Sequence, residues 1–169
     1  MNRMIARLLT GSFLIAGLLV MPAAQAAAHD DNPLTAVRIA TARFHNLDAA
    51  EAAGYAKALP CFDLAGVGGM GQHYVKGPFD TTVTPTEPEA LVYEVDGSEL
   101  KLVAVEYIVP QSLWTSSQPP TLFGQWFLRN DTLGLWTLHA WIWRTNPFGT
   151  FASYNPEVAM CPGHAPLHD

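Results

Sequence analysis

Apolar positions along this chain change period partway through. Between Leu34 and Gly54 they recur at helical spacing, with Val37, Ala40, Phe44 and Leu47 on one side of a 3.6-residue repeat. Asp30-Asp31-Asn32-Pro33 places acids, an Asn cap and a first-turn proline ahead of that repeat, so a helix is predicted from Pro33. Asp48-Ala49-Ala50-Glu51 has the form of a capping box and predicts a second short helix over residues 48–54. From Ala90 onward the runs are β-rich. Residues 90–95 and 100–109 are joined across Asp96-Gly97-Ser98-Glu99, which predicts a hairpin, and residues 121–129 and 135–144 read as two further strands. Residues 59–89 carry glycines at 66, 68, 69, 71 and 77 and prolines at 60, 78, 85 and 88, and are read as loop with one extended piece at 72–75. The expected fold class is α+β: two short N-terminal helices packed on a curved antiparallel sheet or partial β-barrel.

The ends set a compartment. Arg3 and Arg7, the apolar stretch from Leu8 to Val20, the Met21-Pro22 break and AAQAAA form the pattern of a secretory signal peptide over residues 1–28. The expected organisation is that leader, a single α+β domain over 29–162 and a flexible tail over 163–169. The apolar run is too short for a good membrane anchor, so the mature chain is expected to be secreted or periplasmic, without membrane insertion after signal removal. Loss of the two leader arginines takes the formal charge from −6 to −8, which argues against nucleic acid as a partner. Cys61 and Cys161 are the two cysteines, and in an exported protein a lone pair is most simply a disulfide.

Candidate chemistry rests on polar residues that interrupt apolar strands. Glu106 stands in LVAVEYIVP, where alternation groups it with Leu102, Ala104 and Ile108, and puts Val103, Val105, Tyr107 and Val109 on the other face. Neither face is polar, so the carboxylate is either at an edge or inside with a partner. His139 interrupts the last strand on the face of Thr137, Trp141 and Trp143. His73 follows the glycine run in GGMGQHYV. Two imidazoles and a carboxylate form the ligand set of many zinc and non-haem iron sites, so His73, Glu106 and His139 are the candidate ligands for a divalent transition metal. They come from three separated elements, with no H-x-H or H-E-x-x-H spacing to tie them.

Other signals carry less. Gly66 to Gly71 formally matches G-x-G-x-x-G, but no helix is predicted after it to hold a pyrophosphate. Trp114, Trp126, Trp136, Trp141 and Trp143, with Tyr74, Tyr107 and Tyr154, can fill a core or line a small-ligand pocket. Asn146 and Asn155 each precede a proline and read first as turn formers. Cleavage before His29 would create an amino-terminal histidine able to chelate copper. Asn130-Asp131-Thr132 is a formal glycosylation sequon. No nucleophile elbow supports a serine hydrolase, and pairing of the cysteines removes a thiol nucleophile.

With GGMGQHYV, PEALVYE, LVAVEYIVP, LFGQWF and HAWIWRTNPFGTFASYNPEVAMC in view, the chain resembles a family of small secreted bacterial proteins of unknown function over roughly residues 48–161. The resemblance implies that Gly69, Met70, Gly71, His73, Glu106, His139, Asn146 and Gly149 belong to one constellation, and it carries over no activity. The leading expectation is an exported protein binding a small molecule or metal ion in an aromatic pocket made by His73, Glu106, His139, Trp141, Trp143 and Asn146. A small-substrate hydrolase or isomerase with Glu106 and His139 as acid-base pair is the first alternative. A structural or protein-interaction domain with a satisfied polar core is the second.

Overall fold

A computed structural model describes residues 32–163. The expected leader, the His29 terminus and residues 164–169 of the expected tail lie outside those residues. The helices occupy residues 33–52: α1 (Pro33–Thr41), a 3₁₀ turn (Ala42–His45) and α2 (Leu47–Ala52). Asn32 caps α1 as expected, its Oδ1 accepting from Leu34 N at 3.0 Å. The second cap is Asn46 rather than Asp48: Asn46 has extended backbone and its Oδ1 faces Ala49 N at 3.4 Å, which leaves Asp48 in the first helical turn.

The strands are β1 (Ala56–Leu64), β2 (Gly68–Val75), β3 (Ala90–Asp96), β4 (Glu99–Pro110), β5 (Thr121–Leu122), β6 (Gln125–Trp126), β7 (Leu128–Asn130) and β8 (Leu135–Ala140). Six of them form one curled antiparallel half-barrel in the order β1-β2-β3-β4-β8-β7, while β5 and β6 make a separate small hairpin. The fold is therefore α+β. The β3–β4 hairpin turns at Gly97-Ser98 as expected, with Gly97 at φ 61°.

Four sequence readings are corrected. Residues 59–89 are not mainly loop, because they contain most of β1 and all of β2. The pairing of those two strands is interrupted between Ala58 and Phe62, where Leu59 takes φ 65° and the Gln72 amide donates to the Leu59 carbonyl at 2.8 Å. The long strand over 121–129 is broken by a turn at Phe123 (φ 53°) and Gly124 (φ 73°). The strand over 135–144 stops at Ala140, and Trp141 N then donates to Thr150 O at 2.8 Å. Finally, alternation along β4 fails at a bulge: Val92 pairs with Ala104 but Tyr93 with Leu102, so Val103 is the extra residue. Leu102 consequently joins the face of Val105, Tyr107 and Val109, and the Val103 carbonyl accepts from Trp143 N at 3.1 Å.

Both faces of the sheet are covered. The helices bury Val37, Phe44 and Ala50 against Tyr74, Leu91, Tyr93, Val105, Tyr107 and Leu138. Tyrosines fix that layer because their phenols find carbonyls: Tyr93 donates to Phe44 O at 2.7 Å and Tyr55 to Pro88 O at 2.7 Å. On the opposite face the chain after β8 lies back across the sheet, packing Trp141 and Val158 on Val92, Val103 and Ala104. Glu94 holds this cover, accepting from Ala159 N at 2.8 Å and pairing with Arg144. The Cys61–Cys161 disulfide closes it, spanning 100 residues and worth about 4–5 kcal/mol in the chain-entropy account. No helix among the described residues is long and apolar enough to cross a membrane.

The glycines of β2 are explained by close backbone approach, to the cover at Gly69 and to the neighbouring strand β3 at Gly71. A Cβ on Gly69 would stand 2.5 Å from Ala159 O, and one on Gly71, at φ 101°, would stand 2.6 Å from Tyr93 O. Gly71→Ala is accordingly expected to destabilise the fold by about 3 kcal/mol, through backbone strain plus a clash with an atom that cannot move aside. Gly66→Ala, at φ 74° with open space around it, should cost only about 1 kcal/mol. Urea unfolding of the two variants checks the contrast, and equal costs would refute the close-approach explanation.

Candidate metal centre

The covered face away from the helices holds the three polar residues that the sequence singled out. Glu106 lies on β4 directly opposite His139 on β8 and Ala90 on β3. His73 lies on β2, opposite Val92. It is thus two strands from Glu106 and one step along. The curl of the sheet closes that gap, and Ala90, with only a methyl group on the same face, leaves room for an imidazole to lean across β3.

The resulting geometry is compact. His73 Nε2 is 3.4 Å from Glu106 Oε2 and 3.4 Å from His139 Nε2, while His139 Nδ1 is 3.5 Å from Glu106 Oε1. One donor atom from each residue can be chosen so that all lie within 4.8 Å of one another. The three side chains are almost wholly buried, at 4%, 6% and 4% exposure for His73, Glu106 and His139. The imidazoles meet edge to face, at 86°. Phe62 packs edge-on against His73, and Trp141 stacks on His139 at 6.1 Å. Nδ1 of His73 is buried without a full hydrogen bond, and the Gly71 backbone gives it only a partial one.

Burial dominates the electrostatics. It pulls His139 down to about 4 and lowers His73, where the attraction of Glu106 opposes it and His139 reinforces it. It pushes the Glu106 carboxyl up, against the opposing effects of His73 and a hydrogen bond from Thr137. Both imidazoles are therefore held neutral, the form that ligates metal. The carboxylate lacks a cation among its neighbours.

The triad forms the floor of a cavity of about 490 Å³ whose walls include Phe62, Met70, Ile108 and Tyr154. Of the other expected site residues, Trp141 supports His139 from the side. Trp143 points to the helices, edge-on to His45, with its indole N–H donating to Thr41 at 3.3 Å. Asn146 organises its own loop, donating to Tyr154 O at 2.9 Å and accepting from Phe148 N at 3.0 Å. Neither Trp143 nor Asn146 lines the cavity. Phe62, Thr137 and Met70 do, and Phe62 was hidden because β1 read as loop. The glycine run leads into β2 and no helix follows it, so no pyrophosphate cradle exists there.

Fold and centre together define an α+β half-barrel with a buried two-histidine, one-carboxylate cluster. Compared with models of protein families, with curated proteins and with solved structures, the chain matches none.

A larger cavity, about 650 Å³, lies beside Tyr55, Lys76 and Glu89 and contains no member of the triad, so size does not choose the site. Glu89 is nonetheless informative. Its Oε2 accepts from Ile108 N at 3.1 Å, yet burial raises its carboxyl to about 7. A raised carboxyl is protonated in the native state over a range where the unfolded chain has released its proton. The stability it contributes is present below about 4.5 and is lost as pH rises through about 7. The shift sets a ceiling near ~3 kcal/mol, and partial solvent access reduces the expected loss to about 1–2 kcal/mol between pH 5 and pH 8. Glu89→Gln should remove that part of the pH dependence. Urea midpoints at the two pH values test it, and an unchanged slope in the variant would rule Glu89 out as the source.

Proposed function

We propose that this chain is an exported protein that binds one divalent transition-metal ion through His73, Glu106 and His139. The observation that carries the reading is the spacing around His73 Nε2, which stands 3.4 Å from a Glu106 oxygen and 3.4 Å from His139 Nε2. Two ligands at 2.0–2.1 Å from a tetrahedral zinc stand about 3.3 Å apart. A charge-assisted hydrogen bond would draw the same atoms to about 2.7–2.9 Å. Burial favours the neutral imidazoles that ligate metal; it also raises the Glu106 carboxyl, so metal uptake would displace a proton from it. Three protein donors leave a fourth position facing the cavity, the arrangement of catalytic rather than structural zinc. Export is supported by the leader pattern and by the disulfide, which belongs to oxidising compartments.

A second reading has a specific basis. Contacts of 3.4–3.5 Å are also compatible with long hydrogen bonds among neutral groups, which would make the triad a satisfied polar core that locks β2, β4 and β8. The two readings diverge on metal uptake. Purified protein equilibrated with zinc or cobalt should hold one equivalent by elemental analysis, and free ion at 100 times its dissociation constant should raise stability by about 2.7 kcal/mol. His139→Ala and Glu106→Gln should each weaken binding by at least about 100-fold. A folded wild type that takes up no zinc, cobalt, copper or iron overturns the metal reading. In that case Glu106→Gln would act on stability alone, by about 1–3 kcal/mol.

A further inference from the structure

Given the metal-ion reading on which it rests, we infer that the open position of this centre takes a monoanionic small molecule, a carboxylate with a short apolar tail. Its head would complete the coordination and its tail would lie along the cavity to the mouth. Three independent features of the cavity point to that chemistry.

The first is charge. A divalent ion with one carboxylate and two neutral imidazoles leaves the centre at +1, in surroundings that are almost wholly buried. A monoanion neutralises it. A dianion would leave an uncompensated negative charge in a medium where that is costly.

The second is the lack of a second cation to serve as partner. Arg129 is the one arginine or lysine among the described residues of the cavity wall, and it is already engaged. Its Nε donates to Asp131 Oδ1 at 2.5 Å and its guanidinium lies over Trp136. Phosphate and other dianions would need a free arginine or lysine, so the site discriminates against them.

The third is the apolar mouth. Leu59, Leu128 and Leu133 all border the cavity and are 46%, 53% and 41% exposed. A single exposed leucine is ordinary, but three on one cavity, interspersed with Arg129, Asn130, Asp131 and Thr132, give its rim an apolar contact surface for a short tail. The local backbone contributes to it: Leu59 occupies the bulge of β1 at φ 65°, Leu128 opens β7 and Leu133 lies in the turn between β7 and β8. The volume of about 490 Å³ lies within the range of pockets that enclose small organic ligands.

The test uses the cobalt-loaded protein, whose visible bands report coordination, titrated with acetate, butanoate, hexanoate, octanoate, octanol and inorganic phosphate. Octanoate should shift the bands at one equivalent. Affinity should rise along the carboxylate series by up to about fourfold per methylene. Octanol and phosphate should leave the bands unchanged. Leu128→Asp and Leu133→Asp, both at exposed positions away from the ligands, should keep cobalt affinity and flatten the chain-length dependence by at least about tenfold at octanoate. Cobalt bands that ignore octanoate, or that respond equally to acetate, octanoate and phosphate, overturn this inference while leaving the metal centre standing. If no bands form when cobalt is added, before any carboxylate is present, the metal reading falls and takes the inference with it.

Discussion

A carboxylate buried at the centre of a two-sided sheet is the constraint around which this molecule is arranged. Glu106 sits on β4, an interior strand paired on each side, and both faces of that strand are covered. Desolvating a lone carboxylate costs several kcal/mol, and neighbouring apolar residues cannot offset it. Two histidines are brought to it instead, one directly opposite on β8 and one from two strands away on β2. The second requires the sheet to curl and the intervening position to be small, and Ala90 meets that need. The same burial raises the Glu106 carboxyl and lowers both rings, so each of the three groups is pushed toward its uncharged form.

The cover over the centre follows from the same demand. The chain after β8 presses closely on β2, and the glycines at 68 and 69 let the two backbones approach to a distance no side chain would allow. Asn155, fully buried, fixes the contact through Gly69, with N–H to carbonyl bonds running both ways at 2.9 and 3.2 Å. The disulfide and the Glu94 pairings then hold the far end. Stability and site are thus coupled on this face, whereas the helical face with its tyrosine–carbonyl bonds carries an ordinary core.

How much of this could be read from the sequence depended on whether the deciding contact was local. The α1 cap, the β3–β4 hairpin, the disulfide and the oddity of Glu106 and His139 were legible because each is set by neighbours in the chain or by residue type alone. β1 and β2 were not. Their glycines exist for contacts with residues 155 and 159, and the Pro60 and Leu59 irregularity breaks the alternation by which strands are recognised. The placement of Leu102 failed at a bulge, since one extra residue reverses every face assignment beyond it. Trp143 was misplaced for a related reason: β8 ends at Ala140, so the period-two rule no longer applied to it.

The metal reading and the polar-core reading of this centre differ in what they ask of its contacts. A self-sufficient hydrogen-bonded trio would give each buried donor a close acceptor, and fully satisfied networks in low dielectric contract to short distances. Here the contacts are uniformly long, Nδ1 of His73 is under-satisfied, and the carboxylate has no cation. In the proposed metal-bound state a cation would answer the carboxylate and use the imidazole lone pairs on the Nε2 side of His73, while Nδ1, on the other edge of that ring, would keep its deficit. It would also make the 3.4 Å spacing around His73 Nε2 the natural one, because ligands of one ion are held apart by its coordination shell rather than drawn together by a shared proton.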